Sequence, residues 1–131
     1  MTAARELRLV LTVEDVDAAL AFYRDALGLE QSDAWATDEG RGAILAAGNA
    51  TIELIDEDQA ETIDGIEVGR RVTGRVRLAL EVADSGATAE RLTKAGAERL
   101  GDPVETPWKH RNVRVRTPDG TQLTLFTVLD E

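Results

Sequence analysis

The stretch Leu9-Val10-Leu11-Thr12-Val13-Glu14-Asp15 returns as Leu78-Ala79-Leu80-Glu81-Val82-Ala83-Asp84, displaced by 69 residues. Both copies alternate over one strand length and end on an aspartate. Helical spacing follows each and stops at a glycine: residues 15–27 before Gly28, and residues 84–95 before Gly96. Asp15 and Asp84 suit N-caps, because a short carboxylate accepts the free N–H groups of a first helical turn. Glycine just past the end suits the left-handed C-cap position. Val16, Leu20, Tyr23 and Leu27 form the first apolar stripe, and Ala87, Leu92 and Ala95 a thinner second one.

Strand signals follow each helix. In the first half they cover residues 31–36, 43–47 and 51–56, with Gly48-Asn49 as a tight turn. In the second they cover residues 98–101 weakly, then 112–116 and 121–128, with Pro118-Asp119-Gly120 turning between the last two. The pattern is β-α-β-β-β, twice. Residues 57–74 join the halves and read as a polar, glycine-bearing connector with weak order signals. One such unit cannot cover both faces of its sheet, so the two are expected to associate as one α+β domain over residues 1–131. Its modules run over about 5–57 and 74–129, with a linker at about 58–73.

Strand alternation sorts the faces. Leu7, Leu9, Leu11 and Val13 oppose Arg8, Val10 and Thr12; Leu78, Leu80 and Val82 oppose Arg75, Arg77, Ala79 and Glu81. Ile52 and Leu54 oppose Thr51, Glu53 and Ile55; Leu123 and Leu125 oppose Gln122, Thr124 and Phe126. The aliphatic face is expected under the helices. The mixed face is either solvated or the lining of a binding cup.

Composition narrows the function. With 131 residues, 43% hydrophobic and 31% charged, the chain has globular rather than disordered composition. No cysteine is present, which excludes disulfides, thiolate metal sites and cysteine nucleophiles. No apolar run approaches a membrane span, and the opening MTAARELR has no apolar core of a signal peptide. A cytoplasmic protein with no membrane partner is expected. The net charge of −10 argues against nucleic acid, whose phosphates need a basic footprint. Residues 1–65 hold 15 acids and 4 bases, whereas residues 66–131 hold 10 acids and 11 bases. The acid-rich stretch 53–67 is read as a solvated loop, or as a field attracting cationic ligands.

The chain resembles the vicinal oxygen chelate superfamily, the glyoxalase/bleomycin resistance/dioxygenase family. The likeness rests on LRLVLTVEDVDAALAFYRDALGLE (residues 7–30), on residues 77–96, and on Pro107-Trp108 followed by Thr117-Pro118-Asp119-Gly120. It implies paired βαβββ modules in a U-shaped, partly open barrel, commonly a homodimer, with ligand in the concave cavity. Metal enzymes of the superfamily hold one divalent ion with His, Glu or Gln from the first and last strands of both modules. The four matching positions here are Arg8, Glu53, Arg77 and Thr124, and only Glu53 is a reasonable ligand. Arginine is permanently charged and has no lone pair to give. No cofactor is therefore expected.

Members without metal ligands include drug-sequestering resistance proteins, so the resemblance implies metal-independent binding of a small organic molecule, with antibiotic sequestration as the model. Trp35, Trp108 and Phe126 are the aromatic candidates to line the cleft. The alternative is a divergent metal-dependent lyase, isomerase or dioxygenase, with Glu53 retained as a ligand. A structural or regulatory module with no ligand is a third reading. Glu53 bridging Arg8 and Arg77 would be a simple ion network; the same arginines would otherwise receive an anion, which conflicts with a cationic drug. If the chain is an enzyme, Glu53 and His110, the only histidine, are the catalytic candidates, His110 as a general base; His110 is otherwise expected in a solvent-facing loop.

Overall fold

A computed structural model describes residues 3–130. The first module contains β1 (Glu6–Thr12), α1 (Val16–Leu20, continuing as π-helical turns over Ala21–Ala26), β2 (Glu30–Thr37), β3 (Gly40–Ala47) and β4 (Ala50–Ile55). A connecting helix α2 (Glu57–Glu67) leads to β5 (Val76–Glu81), α3 (Ser85–Lys94), the short β6 (Glu98–Arg99) and β7 (Val104–Glu105), then β8 (His110–Arg116) and β9 (Gln122–Val128). Among the described residues no helix is long and apolar enough to cross a membrane.

The caps form as their chemistry requires. Asp15 accepts from the Ala18 N–H at 3.1 Å, and Asp84 from the Ala87 N–H at 3.1 Å. Gly28 and Gly96 take φ of 89° and 112°, the left-handed conformation that ends each helix.

Among the described residues all nine strands join one open sheet in the order β2-β3-β4-β1-β5-β9-β8-β6, with β7 also on β8. The modules meet where β1 and β5 pair antiparallel, Leu9 opposite Leu78 and Val10 opposite Arg77. Beside that seam β1 runs parallel to β4, and β5 parallel to β9. The duplication therefore places the first and last strands of both modules side by side in the middle of the sheet.

One face carries the helices. Val16 and Leu20 of α1 pack on Ala43, Leu45 and Leu54, with Leu11 and Ile52 alongside. Ala89 of α3 packs on Val82, Val113, Val115, Leu123 and Leu125, with Leu78 and Leu80 alongside. These are the aliphatic positions of the alternation, as expected.

The opposite face is partly covered, and the cover is the connector. The expectation of a weakly ordered linker is corrected: Asp56 caps an eleven-residue helix by accepting the Gln59 N–H at 2.8 Å. Gln59, Ala60, Ile63, Asp64 and Glu67 recur at helical spacing and are buried. Ala60 and Ile63 close over Val10, Ile55, Ala79 and Phe126, with Trp35 at the edge. Burying a side chain such as Ile63 contributes about 1.5–3 kcal/mol, which outweighs the roughly 1 kcal/mol cost of Gly65 in the helix interior. Close approach seats both ends of α2. A Cβ at Gly40 would meet the Gln59 backbone, and one at Gly101 would meet the Glu67 carbonyl.

Candidate functional site

Between α2 and the sheet lies a pocket of about 450 Å³. Its lining includes Arg8, Glu53, Arg77, Thr124, Trp35, Trp108, Phe126 and His110, so every residue singled out from sequence is brought to one cavity. The register explains why. Val10 sits opposite both Glu53 and Arg77, and Ala79 sits opposite both Arg8 and Thr124. Residues alternate faces along each strand, so Arg8, Glu53, Arg77 and Thr124 share the concave floor.

The charges pair differently from a triad centred on Glu53. Arg8 donates from Nε to Glu6 at 2.8 Å, and its Nη1 lies 3.7 Å from Glu53. Burial raises the Glu53 carboxyl above its usual range, while Arg77 and then Arg8 pull it back. Arg77 makes no ion pair with Glu53. Its Nη1 instead donates to the Thr124 hydroxyl at 2.7 Å, and its buried Nε has no partner among the described residues. Burial holds the Arg77 guanidinium below its ordinary value, and Glu67 opposes that shift.

His110 is corrected from a solvent-facing loop to the first residue of β8, half-buried against the pocket. Its ring stacks on Phe126, with centres 5.0 Å apart and planes 17° from parallel. The Arg8 guanidinium lies 5.0 Å from the centre of that Phe126 ring. Burial first, and Arg8 second, lower the His110 pKa below its ordinary value. At neutral pH the imidazole is therefore mainly uncharged. Trp35 is partly covered by the α2 cluster, while Trp108 is 40% exposed at the mouth.

The buried network behind the pocket, formed by Arg114, Asp64 and the pocket-lining Glu67, escapes the sequence reading. Arg114 is fully buried, with Nη1 3.0 Å from Asp64 and Nη2 2.9 Å from Glu67. Glu67 also accepts from Thr124 at 3.1 Å and from Asn112 Nδ2 at 2.8 Å. Asp64 accepts from the Val72 and Thr73 N–H groups at 2.7 Å, and from the Thr73 hydroxyl. The acid-rich stretch is thus a strand end and a helix rather than a loop: Glu57, Asp58 and Glu61 are solvated, while its last two carboxylates fasten α2 to the second module. The usable signal was the i, i+3, i+7 spacing of Ala60, Ile63 and Glu67 behind the Asp56 cap.

A divalent ion does not suit the residues at the four floor positions. Two are guanidiniums, which repel a cation and offer no lone pair, and the third is an alcohol already bonded to Arg77 and Glu67. Among the described residues no group of three or more His, Asp or Glu side chains is placed to hold a metal ion.

The comparisons with known proteins agree with this architecture. An uncharacterized Bacillus subtilis (strain 168) protein, YraH, is 27% identical over 127 residues, covering 94% of this chain and 98% of its own. A hypothetical protein from Bacillus halodurans superposes with a TM-score of 0.70 at 14% identity, over 98% of this chain and 96% of that one. Methylmalonyl-CoA epimerase from Mycobacterium tuberculosis superposes with a TM-score of 0.65 at 20% identity, over 99% and 94%. At those identities the two structures show a shared fold alone. The family model described as Glyoxalase/Bleomycin resistance protein/Dioxygenase superfamily matches residues 7–125. With the duplicated modules, the seam between their first strands and this match over most of its length, the chain belongs to that superfamily.

Proposed function

We propose that the protein binds a small organic molecule in the concave pocket without a metal ion. The observation that carries this is the floor itself: Arg8 and Arg77 line a 450 Å³ cavity at positions where metal-dependent relatives are expected to place ligands. A volume of that order suits a small ligand. Trp35, Trp108 and Phe126 supply flat apolar contact. Sequestration of an antibiotic is one form such binding takes. A homodimer is proposed with it, and exposed Leu7, Phe22, Leu27 and Val76 offer apolar surface for the contact.

Elemental mass spectrometry tests the metal-free reading. Untagged protein is incubated with Mn, Fe, Co, Ni and Zn salts and then desalted. Less than about a tenth of an equivalent of each metal is expected. Near one equivalent of any of them refutes the proposal and restores a metal-dependent lyase, isomerase or dioxygenase.

A further inference from the structure

We infer that Arg77 is the anchor for an oxyanion on the ligand, so that the pocket selects organic acids with a flat apolar body over cations. This rests on the metal-free binding reading above and decides between the two ligand charges that reading leaves open.

Arg77 is only 4% exposed, yet it has no carboxylate within ion-pairing distance among the described residues. Of its five N–H donors, one goes to Thr124, while the buried Nε is unused. A buried guanidinium in this state is costly unless something completes it. The acids near the floor are not free to do so. Glu53 pairs with Arg8, and Glu67 is taken up by Arg114, Asn112 and Thr124. Asp33 and Glu39 also line the pocket, but both are exposed, where water screens them. A cationic ligand reaching the floor would therefore meet acids already paired and one arginine that is not. A carboxylate would supply two oxygens to the planar fork of Arg77.

A buried polar network backs Arg77. Asn112 Oδ1 is buried and has no partner among the described residues, although its Nδ2 donates to Glu67. A chain of hydrogen bonds runs from Arg77 through the Thr124 hydroxyl and the Glu67 carboxylate to Asn112. That chain ties up the Thr124 hydroxyl and the Glu67 carboxylate beside Arg77, and both Arg77 Nε and Asn112 Oδ1 are closed to solvent, so an oxyanion would meet the Nη groups of Arg77.

The test is a charge series on the intact chain. Benzoate, benzyl alcohol and benzylamine are titrated while following the intrinsic fluorescence of Trp35 and Trp108, the chain's two tryptophans, both of which line the pocket. Saturable binding of benzoate in preference to the other two, up to about 10 mM, is expected for so small a probe. Arg77→Met should weaken benzoate by about tenfold or more and leave benzyl alcohol nearly unchanged. Benzylamine binding more tightly than benzoate overturns the inference, as does an unchanged benzoate affinity in a folded Arg77→Met protein. Should that variant fail to fold by circular dichroism, the wild-type charge series decides alone. Binding of only the alcohol or the amine overturns the acid preference and leaves metal-free binding standing. Failure of all three probes overturns both readings, and a stoichiometric metal overturns the metal-free reading directly.

Discussion

Replacing Arg114 with methionine tests whether α2 is held by buried charge. The side chain is fully buried, and methionine keeps much of its length and apolar bulk. What disappears is the guanidinium that meets Asp64 at 3.0 Å and Glu67 at 2.9 Å. Asp64 keeps the Val72 and Thr73 N–H groups, the Thr73 hydroxyl and Arg71. Among the described residues Glu67 keeps the Thr124 hydroxyl and Asn112 alone. Glu67 is thus the carboxylate left buried and uncompensated, and breaking such a pair costs about 3–5 kcal/mol. Urea denaturation at pH 7, followed by circular dichroism, should lose that amount, a large share of the total for a chain this size. Adding Glu67→Gln to Arg114→Met should recover part of the loss, since the orphaned charge is then gone. A loss below about 1 kcal/mol, or no recovery in the double variant, would refute the view that the network fastens α2 to the sheet.

Three further outcomes are expected. Asp64 is pulled upward by burial, but its bonds to Thr73 and Val72 and the charge of Arg114 outweigh this and bring its pKa from 3.8 to about 2. A depressed folded pKa stabilises the fold above pH 3.8, and that contribution, about 2 kcal/mol, is lost as pH falls from 3.8 towards 2; Asp64→Asn should lose it at pH 7 and flatten the acid limb of the stability profile. The single histidine resonance should titrate with a midpoint below 6.5, rising when Arg8→Gln removes the neighbouring positive charge, as read by proton–carbon NMR. Because His110 is depressed, its neutral form stabilises the fold above pH 6.5, and this is lost as pH drops towards its folded pKa. Gly101→Ala should cost about 1–3 kcal/mol in a urea titration, since its new methyl meets the Glu67 carbonyl at the end of α2.

The modules were legible because their punctuation is local. Asp15 and Asp84 start helices, Gly28 and Gly96 end them, and two-residue alternation places Arg8, Glu53, Arg77 and Thr124 on one face. None of this requires knowledge of distant contacts. The connector defeats the same reading because its order comes from tertiary partners. Gly65 lowers its intrinsic helix preference, the like charges of Glu57, Glu61, Asp64 and Glu67 at helical spacing repel, and Arg114, 47 residues beyond Glu67, supplies the opposing charge. His110 is misplaced for a related reason: only the pairing of Asn112 with Phe126 reveals which aromatic lies beneath it. The pairings of Glu53 and Arg77 likewise depend on side-chain reach across strands, which alternation alone does not encode.

The connecting helix has a consequence for how the molecule comes apart. By sequence α2 trails the first module, but its buried carboxylates answer to a base in the second. A cut at the exposed Gly69 would leave Asp64 and Glu67 on one fragment and Arg114 on the other. Neither fragment could hide its own charge, so the duplicated halves are obliged to unfold as a single cooperative unit.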